Sequence, residues 1–436
     1  MPQVALSAVP DLLALHAANP ARYPHLLQTS GGQAGWDILF AFPRHIRRFG
    51  LGEGGALAAL QEEWAQAGGC RDEASHLPFH GGWFVYLGYE TLREIEPSVP
   101  VRQGVEPFPS AVIARIPAAI LVDRRNARAF AVAEPASASC IEEMERDLAR
   151  ACTWSPEAPS IQAGEEDEPE RFLAGVERIK RYIGEGDVFQ VNLARRWRAR
   201  LAQPIRAVDL YHALTRHNPA PFGGLADFGD CAIISSSPER LVRVRDGAID
   251  TRPIAGTRPR AADAALDEAL RKELLATAKE RAEHIMLVDL ERNDLGKVCE
   301  PGSVEVPALL ELASYAHVHH LESTVRGRLR GDVGPVEVIR ALFPGGTITG
   351  CPKVRCMQII RELETAPRLA YTGSMGYINR DGSLDLNILI RSFMMAGQQL
   401  TFWAGAGIVA DSVAERELEE TRAKAKGLLK ALGALQ

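Results

Sequence analysis

The spacing of apolar and polar positions changes period several times along the chain, and each change predicts an element. Trp83–Tyr89 (WFVYLGY) is short and almost continuously apolar, as a buried strand is. Ala111–Val122 (AVIARIPAAILV) is apolar for longer. With Ala127–Val132 it predicts a hairpin closed through Asp123-Arg124-Arg125-Asn126. Ala56–Ala67 reads as a helix. Over Glu170–Gly184 the apolar residues Phe172, Val176, Ile179 and Ile183 recur three and four apart, which gives a helix with one buried face. Val188–Arg198, Cys231–Ser236, Leu241–Val244 and Gln399–Val409 predict strands, the third ending at an Asp246-Gly247 turn. Tyr371–Asn379 and Ser383–Ser392 flank Arg380-Asp381-Gly382 as a second hairpin. Ala264–Leu290 reads as one long helix, Lys353–Leu363 as a shorter one, and Val413–Leu432 as the last. Strands and helices do not alternate regularly, so the pattern predicts an α+β fold.

Between Ser155 and Glu170 the chain reads SPEAPSIQAGEEDEPE, proline-rich and acidic with almost no apolar residue. Such a stretch predicts a solvated connector. It divides an N-terminal region, residues 1–154, from a C-terminal region, residues 171–436, with 155–170 as the linker. The 436 residues carry 50 Lys+Arg against 56 Asp+Glu, a formal charge of −6. No basic excess is present to hold a nucleic acid backbone. No run reaches the ~18 uncharged apolar residues that a membrane helix requires. The N-terminus, MPQVALSAVPDLLALH, lacks the basic start of a signal peptide. The seven cysteines are scattered, without a CxxC pair, and fit reduced thiols in a cytoplasmic enzyme.

Several segments carry candidate chemistry. Glu417, Glu420 and Lys424 share one face of the last helix, and Glu280 and Glu283 share a face of the long helix, next to His284. Two helices presenting paired carboxylates would suit a hard cation such as Mg²⁺; the same spacing also serves simply to solvate a helix face. Phe343–Lys353 (FPGGTITGCPK) puts a glycine-rich turn before a helix, where backbone N–H groups and Lys353 would meet an anion; a plain turn and cap fits equally. It is not a GxxxxGK[ST] phosphate loop. Thr251–Arg260 holds two Arg-Pro pairs around Gly256-Thr257, a rigid cationic loop. Ser235-Ser236-Ser237-Pro238-Glu239 runs from a strand into a turn that ends on a carboxylate; buried, Glu239 would be a general acid, and otherwise a turn residue. His319-His320 offers a neutral hydrogen-bonding ring or a core histidine.

Seven segments, SSSPER, RPIAGTRPR, AEHIMLVDLERNDLG, VHHLEST, FPGGTITGCPKVR, LDLNILIRS and AGAGIVADS, follow one another between residues 186 and 426. Together they resemble the chorismate-binding enzymes, which include anthranilate synthase component I, aminodeoxychorismate synthase component I and the isochorismate and salicylate synthases. The resemblance is close over the C-terminal region and loose over the N-terminal one. It implies an α+β fold, a large two-sheet β-sandwich with helices packed outside, in which the two regions make one intertwined body and the acidic stretch is a surface crossing. It also implies Mg²⁺-assisted displacement of the chorismate C4 hydroxyl by a nucleophile arriving at C2 or C4. By position it implies Glu283, Glu417 and Glu420 as the Mg²⁺ shell, with Glu280 as an outer member. Glu239 matches the acid that protonates the leaving hydroxyl, and His320 a histidine near that oxygen, with His319 as runner-up. Tyr371 and Arg391 match a pair that grips the enolpyruvyl carboxylate. Gly405 matches a backbone N–H donor on a tight turn. Ala255, Gly256 and Thr257 line the ring, Lys424 reaches a substrate carboxylate, and Lys353 forms pocket wall.

Gln190 stands in Asp187–Ala194 (DVFQVNLA), where water-using members of the family carry a lysine base. A neutral amide cannot deprotonate water, whereas ammonia is already nucleophilic, so the resemblance implies an aminating enzyme. FQVNLA, FPGGTITG, YTGSMGYI and Trp36–Pro43 are similar to the aminodeoxychorismate synthases. Ala255 departs from the PIKGT version of their loop, in which a lysine forms a covalent adduct, and matches the anthranilate synthases. The resemblance therefore implies 4-amino-4-deoxychorismate, made without a lysine adduct for p-aminobenzoate and folate, with anthranilate as the alternative product. The chain has no glutaminase-type nucleophile segment, so a separate glutamine amidotransferase subunit is the expected ammonia source. Leu26–Ser30 aligns with the segment where anthranilate synthases bind inhibitory tryptophan. Gln28-Thr29 replaces its glutamate, so feedback inhibition is not expected.

Overall fold

The computed structural model describes residues 1–31, 34–67, 76–102, 108–150, 153–261, 263–314 and 318–434. Two large antiparallel sheets form the body. The 12-stranded sheet runs in the order Gln3–Ala5, Arg128–Ala133, Ala118–Asp123, Trp36–Ala41, His25–Gln28, Phe222–Asp227, Cys231–Ser237, Ser392–Ala396, Gln399–Ile408, Gln190–Leu201 and Gly350–Cys351, with Ile161–Glu166 also paired to Gln190–Leu201. The 10-stranded sheet runs Ile254–Pro259, Val318–Arg328, Ala248–Thr251, Arg240–Arg245, Leu384–Asn387, Ser374–Asn379, Gly82–Leu87, Ala111–Ile116 and Arg44–Phe49, with Glu305–Ser314 on Val318–Arg328. Strands from before and after the acidic stretch lie side by side in both sheets. His25–Gln28 pairs with Phe222–Asp227, and Gly82–Leu87 with Ser374–Asn379. Apolar faces of the two sheets meet: Ile38, Phe40 and Ile233 of the first share a buried cluster with Phe84, Val112 and Met375 of the second.

Three predicted elements divide, each for a physical reason. The apolar run Ala111–Val122 is two strands in two sheets, Ala111–Ile116 beside Gly82–Leu87 and Ala118–Asp123 beside Trp36–Ala41. Pro117 between them has no N–H to give a ladder, so pairing ends there and the chain changes sheet. The hairpin is the second half alone, Ala118–Asp123 with Arg128–Ala133. Ser383–Ser392 splits likewise into Leu384–Asn387 in one sheet and the start of Ser392–Ala396 in the other. The long helix is Ala264–Ala276 followed by Ala278–Gly296. Thr277 between them is extended (φ −69°, ψ 105°), and its hydroxyl donates to the Glu273 carbonyl at 2.8 Å, closing the first helix.

The acidic stretch is not all connector. Ile161–Glu166 adds a strand to the edge of Gln190–Leu201, whose arginines answer its charges. Arg198 bonds Glu165 at 2.6 Å, and Glu166 pairs with Arg195 at 3.2 Å and Arg422 at 2.6 Å. Composition alone hides this, because the matching cations lie elsewhere in the sequence, Arg195 and Arg198 some thirty residues on and Arg422 near the C-terminus. Outside the sheets, Ala414–Ala431 packs on the Gln399–Ile408 strand and Ala278–Gly296 packs on Val318–Arg328 and Ile254–Pro259. No helix among the described residues is long and apolar enough to cross a membrane.

Candidate active site

Two neighbouring segments change sheet at the same place. Cys231–Ser237 leaves the first sheet through Pro238-Glu239 and continues as Arg240–Arg245 in the second. Leu384–Asn387 leaves the second through 388–391 and continues as Ser392–Ala396 in the first. The crossings are tied by their backbones: Ile388 N–H donates to the Glu239 carbonyl at 3.0 Å and Ser236 N–H to the Arg391 carbonyl at 3.1 Å. Glu239 and Arg391, predicted as acid and anion grip, are thus carried by one joint.

Glu239 is buried, and its Oε1 accepts from the Thr347 hydroxyl at 2.8 Å. Burial, with buried Glu291 adding like charge, pushes its carboxyl up to about 8 against the Thr347 bond. It therefore carries a proton at neutral pH. Glu291 is itself raised to about 7, chiefly by burial. It accepts from Gly346 N–H at 3.3 Å. A side chain on Gly346 would meet Leu290 Cδ2 at 2.6 Å, so the glycine-rich segment is glycine-rich to press against the Ala278–Gly296 helix. In this structure the segment positions Thr347 against Glu239. Lys353, expected at the pocket wall, bonds Asp294 and the Leu342 carbonyl through its Nζ.

His320 lies on Val318–Arg328, its Nδ1 3.3 Å from the Gly256 carbonyl. Burial, reinforced by Arg391 and Lys424, lowers it to about 4, so the ring is neutral. His319, the runner-up, is engaged elsewhere, between Ser314 Oγ at 2.8 Å and Asp267 at 3.0 Å. Gly256 is left-handed (φ 68°), and a Cβ there would meet Glu280 Oε2 at 2.9 Å. Ala255 pairs with Leu321 on the same edge strand; the Thr257 side chain lies outside the described residues.

Arg391 is half-buried in a left-handed conformation (φ 54°). Among the described residues its guanidinium meets no hydrogen-bond or ion-pair partner, though Tyr371 and Glu420 act on it electrostatically. A largely desolvated, unpaired arginine is a seat for a planar anion. Tyr371 is buried and stacks on Trp403 with centroids 6.0 Å apart, while Arg368 lies over its ring at 5.3 Å. Gly405 sits inside the Gln399–Ile408 strand, not on a turn as expected. A Cβ there would meet the Tyr371 hydroxyl and Asn192 Oδ1, each at 2.7 Å. Its carbonyl accepts from Lys424 Nζ at 2.9 Å, and Lys424 also pairs with Glu420 at 2.7 Å. The structure thus draws His320, Tyr371, Arg391, Gly405, Glu420 and Lys424 together.

The predicted metal carboxylates are less gathered. Glu280 accepts from Arg258 at 2.7 Å, while its Oε2 is buried and, among the described residues, accepts no hydrogen bond. Glu283 is half-buried on the same helix; Glu417 is buried and Glu420 exposed on the last helix. The donor set, all carboxylate oxygens, has the chemistry of a Mg²⁺ site. The spacing falls short of one: among the described residues no three His, Cys, Asp or Glu side chains converge closely enough to hold a metal ion.

Sequence reasoning missed the partners that make these groups work. Thr347 and Glu291 lay inside quoted motifs, but their relation to Glu239 arises only through the sheet crossing. Arg368, almost fully buried, binds Glu364 with Nε at 2.8 Å and the Asn192 carbonyl at 2.9 Å. It also binds the Ile348 carbonyl at 3.1 Å, tying the Gln190 strand, the glycine-rich segment and Tyr371 together. A cavity of about 430 Å³ lies beside this constellation, between Leu27, Trp36, Phe222 and Tyr377; it touches Pro238, Ile254 and Glu322 but neither Glu239 nor Arg391. Leu27-Gln28-Thr29, the segment expected to lack feedback control, lines it.

Residues 23–430 match the family described as chorismate binding enzyme. A Haloarcula marismortui anthranilate synthase component 1 is 39% identical over 431 residues, 93% of this chain and 86% of that protein. An aminodeoxychorismate synthase component 1 of Bacillus subtilis is 47% identical over 261 residues, 60% of this chain and 55% of that protein. Among solved structures, anthranilate synthase component I from Streptococcus pneumoniae superposes with a TM-score of 0.80 at 32% identity, covering 90% of this chain and 92% of that one. The Escherichia coli isochorismate synthase MenF shares the fold, with a TM-score of 0.79 at 20% identity over 99% of this chain and 94% of that one. With the match spanning nearly the whole sequence and the two-sheet body in place, the chain belongs to the chorismate binding enzyme family.

Proposed function

We propose that this protein aminates chorismate with ammonia, giving 4-amino-4-deoxychorismate and water. The observation that carries the reading is that the chain has a proton-bearing Glu239 and also a neutral amide, Gln190, at the position where a water-using enzyme needs a base. Arg391 and Tyr371 hold the enolpyruvyl carboxylate, and Lys424 meets a second carboxylate. Glu239 gives its proton to the departing C4 oxygen, which leaves as water, and neutral His320 orients that oxygen. Ammonia forms the new C–N bond with its own lone pair and then loses one proton to solvent. Glu283, Glu417 and Glu420, drawn closer than they stand in this structure, would hold Mg²⁺, which supplies charge compensation for an oxygen leaving group. Ammonia would come from a separate glutamine amidotransferase subunit, and free ammonia would replace it in vitro.

FQVNLA and the other segments similar to aminodeoxychorismate synthases support amination at C4. Ala255 supports a second reading: it cannot form an adduct, as in the anthranilate synthases, and several of the relatives are named anthranilate synthases. In that reading ammonia adds at C2 and pyruvate is then eliminated. Purified protein with chorismate, MgCl₂ and ammonium chloride separates the two. A product that yields p-aminobenzoate only after a lyase is added supports C4 amination; fluorescent anthranilate without a lyase establishes the second reading.

A further inference from the structure

We propose that Asn192, together with Gln190, forms the seat in which ammonia waits for the ring. The inference rests on the aminating reading above and adds to it the place and the means of holding the nucleophile. Gln190 and Asn192 are 6% and 8% exposed. Among the described residues no donor meets either side-chain carbonyl oxygen. A buried acceptor without a donor is costly and uncommon, and two on one strand are an unfilled demand for N–H or O–H groups.

The two amides stand two positions apart on the Gln190–Leu201 strand, so they project from one face, about 7 Å apart along it. The strand beside them offers glycine where a side chain would otherwise rise. Asn192 lies opposite Gly407, and Ala194 opposite Gly405. A Cβ on Gly405 would meet Asn192 Oδ1 at 2.7 Å, and a Cβ on Gly407 would meet the Gln190 amide nitrogen at 2.3 Å. The glycines therefore make the floor on which the two amides lie. The Tyr371 hydroxyl borders the same floor, which joins it to the carboxylate grip.

The chemistry selects a small, neutral, donor-rich guest. Ammonia has three N–H groups to give to two carbonyls, and its lone pair forms the bond to carbon. Lys424, bonded to the Gly405 carbonyl, and nearby Arg391 bring positive charge that opposes ammonium. Water fits by size, but an amide carbonyl cannot take its proton.

The test is steady-state kinetics of the purified full chain with chorismate, MgCl₂ and varied ammonium chloride at fixed pH. Asn192→Leu keeps the volume and removes the acceptor. It is expected to raise the KM for ammonia about tenfold, while the KM for chorismate stays within about twofold. Gln190→Met gives an independent reading should the first variant not fold, with the same expected split. An unchanged ammonia KM in a variant that still binds chorismate overturns the seat. If the parent chain forms no amine at any ammonium concentration, the aminating reading itself falls, and the seat with it.

Discussion

Glu239 shows how far one buried carboxyl governs the behaviour of the site. Its protonated form is the useful one, so turnover plotted against free ammonia is expected to fall as pH rises through about 8. Glu239→Gln is expected to lower kcat by about 10²–10⁴-fold while chorismate still binds, which a fluorescence titration beside the rate measurement would check. The same shift has a stability sign. The folded protein holds this proton above the ordinary value of 4.5, so the contribution is full below pH 4.5 and lost as pH rises through about 8. Melts of parent and Glu239→Gln are therefore expected to agree near pH 5 and to separate near pH 9, with the variant more stable. Glu239, His320, Tyr371 and Arg391 could be singled out in the sequence because each falls in a recognisable motif. Thr347 and Asn192 were not singled out. Nothing local tells that a hydroxyl over a hundred positions away will reach Glu239, or that an amide in a strand will lack a donor.

At the scale of elements, the arrangement depends on segments being bound to each other rather than on any one being stable. Arg368 and Glu364 are the strongest such tie. Arg368→Met leaves Glu364 buried without its counter-charge, so a loss of about 3–5 kcal/mol in urea unfolding is expected. A second variant changing both partners to apolar residues should recover part of it. Gly405→Ala tests the floor of the Gln399–Ile408 strand. The new methyl would press on Asn192 Oδ1, the Tyr371 hydroxyl and, at 2.8 Å, the Leu193 carbonyl, so at least about a tenfold drop in kcat/KM is expected. Element type was readable from period: Ala56–Ala67 and Lys353–Leu363 are helices with the predicted bounds. Element membership was not. An apolar run such as Ala111–Val122 looks the same whether it stays in one sheet or changes at Pro117, because both faces of each half are covered.

For the whole molecule, the division at the acidic stretch in sequence is not a division in space. Residues 171–436 produced alone would lack His25–Gln28 and Gly82–Leu87, leaving Phe222–Asp227 and Ser374–Asn379 as open apolar edges inside the sheets. Such edges aggregate. The fragment is expected to be insoluble and to be rescued by co-expression with residues 1–154, as read by size-exclusion chromatography and turnover. The two-sheet body, and the intertwining of its two regions into one, followed from the family resemblance; composition saw only a hydrophilic gap.

The paired crossings carry a last consequence. The proton donor and the anion grip ride on adjacent backbones hydrogen-bonded to each other, so neither can shift without the other. Their separation is metered by the gauge of the sandwich, the gap the two chains must bridge. A core residue such as Met394, just beyond the crossing and buried between the two sheets, thereby becomes a spacer for the chemistry. Altering its bulk would retune the reach between acid and carboxylate as a shim retunes a jaw.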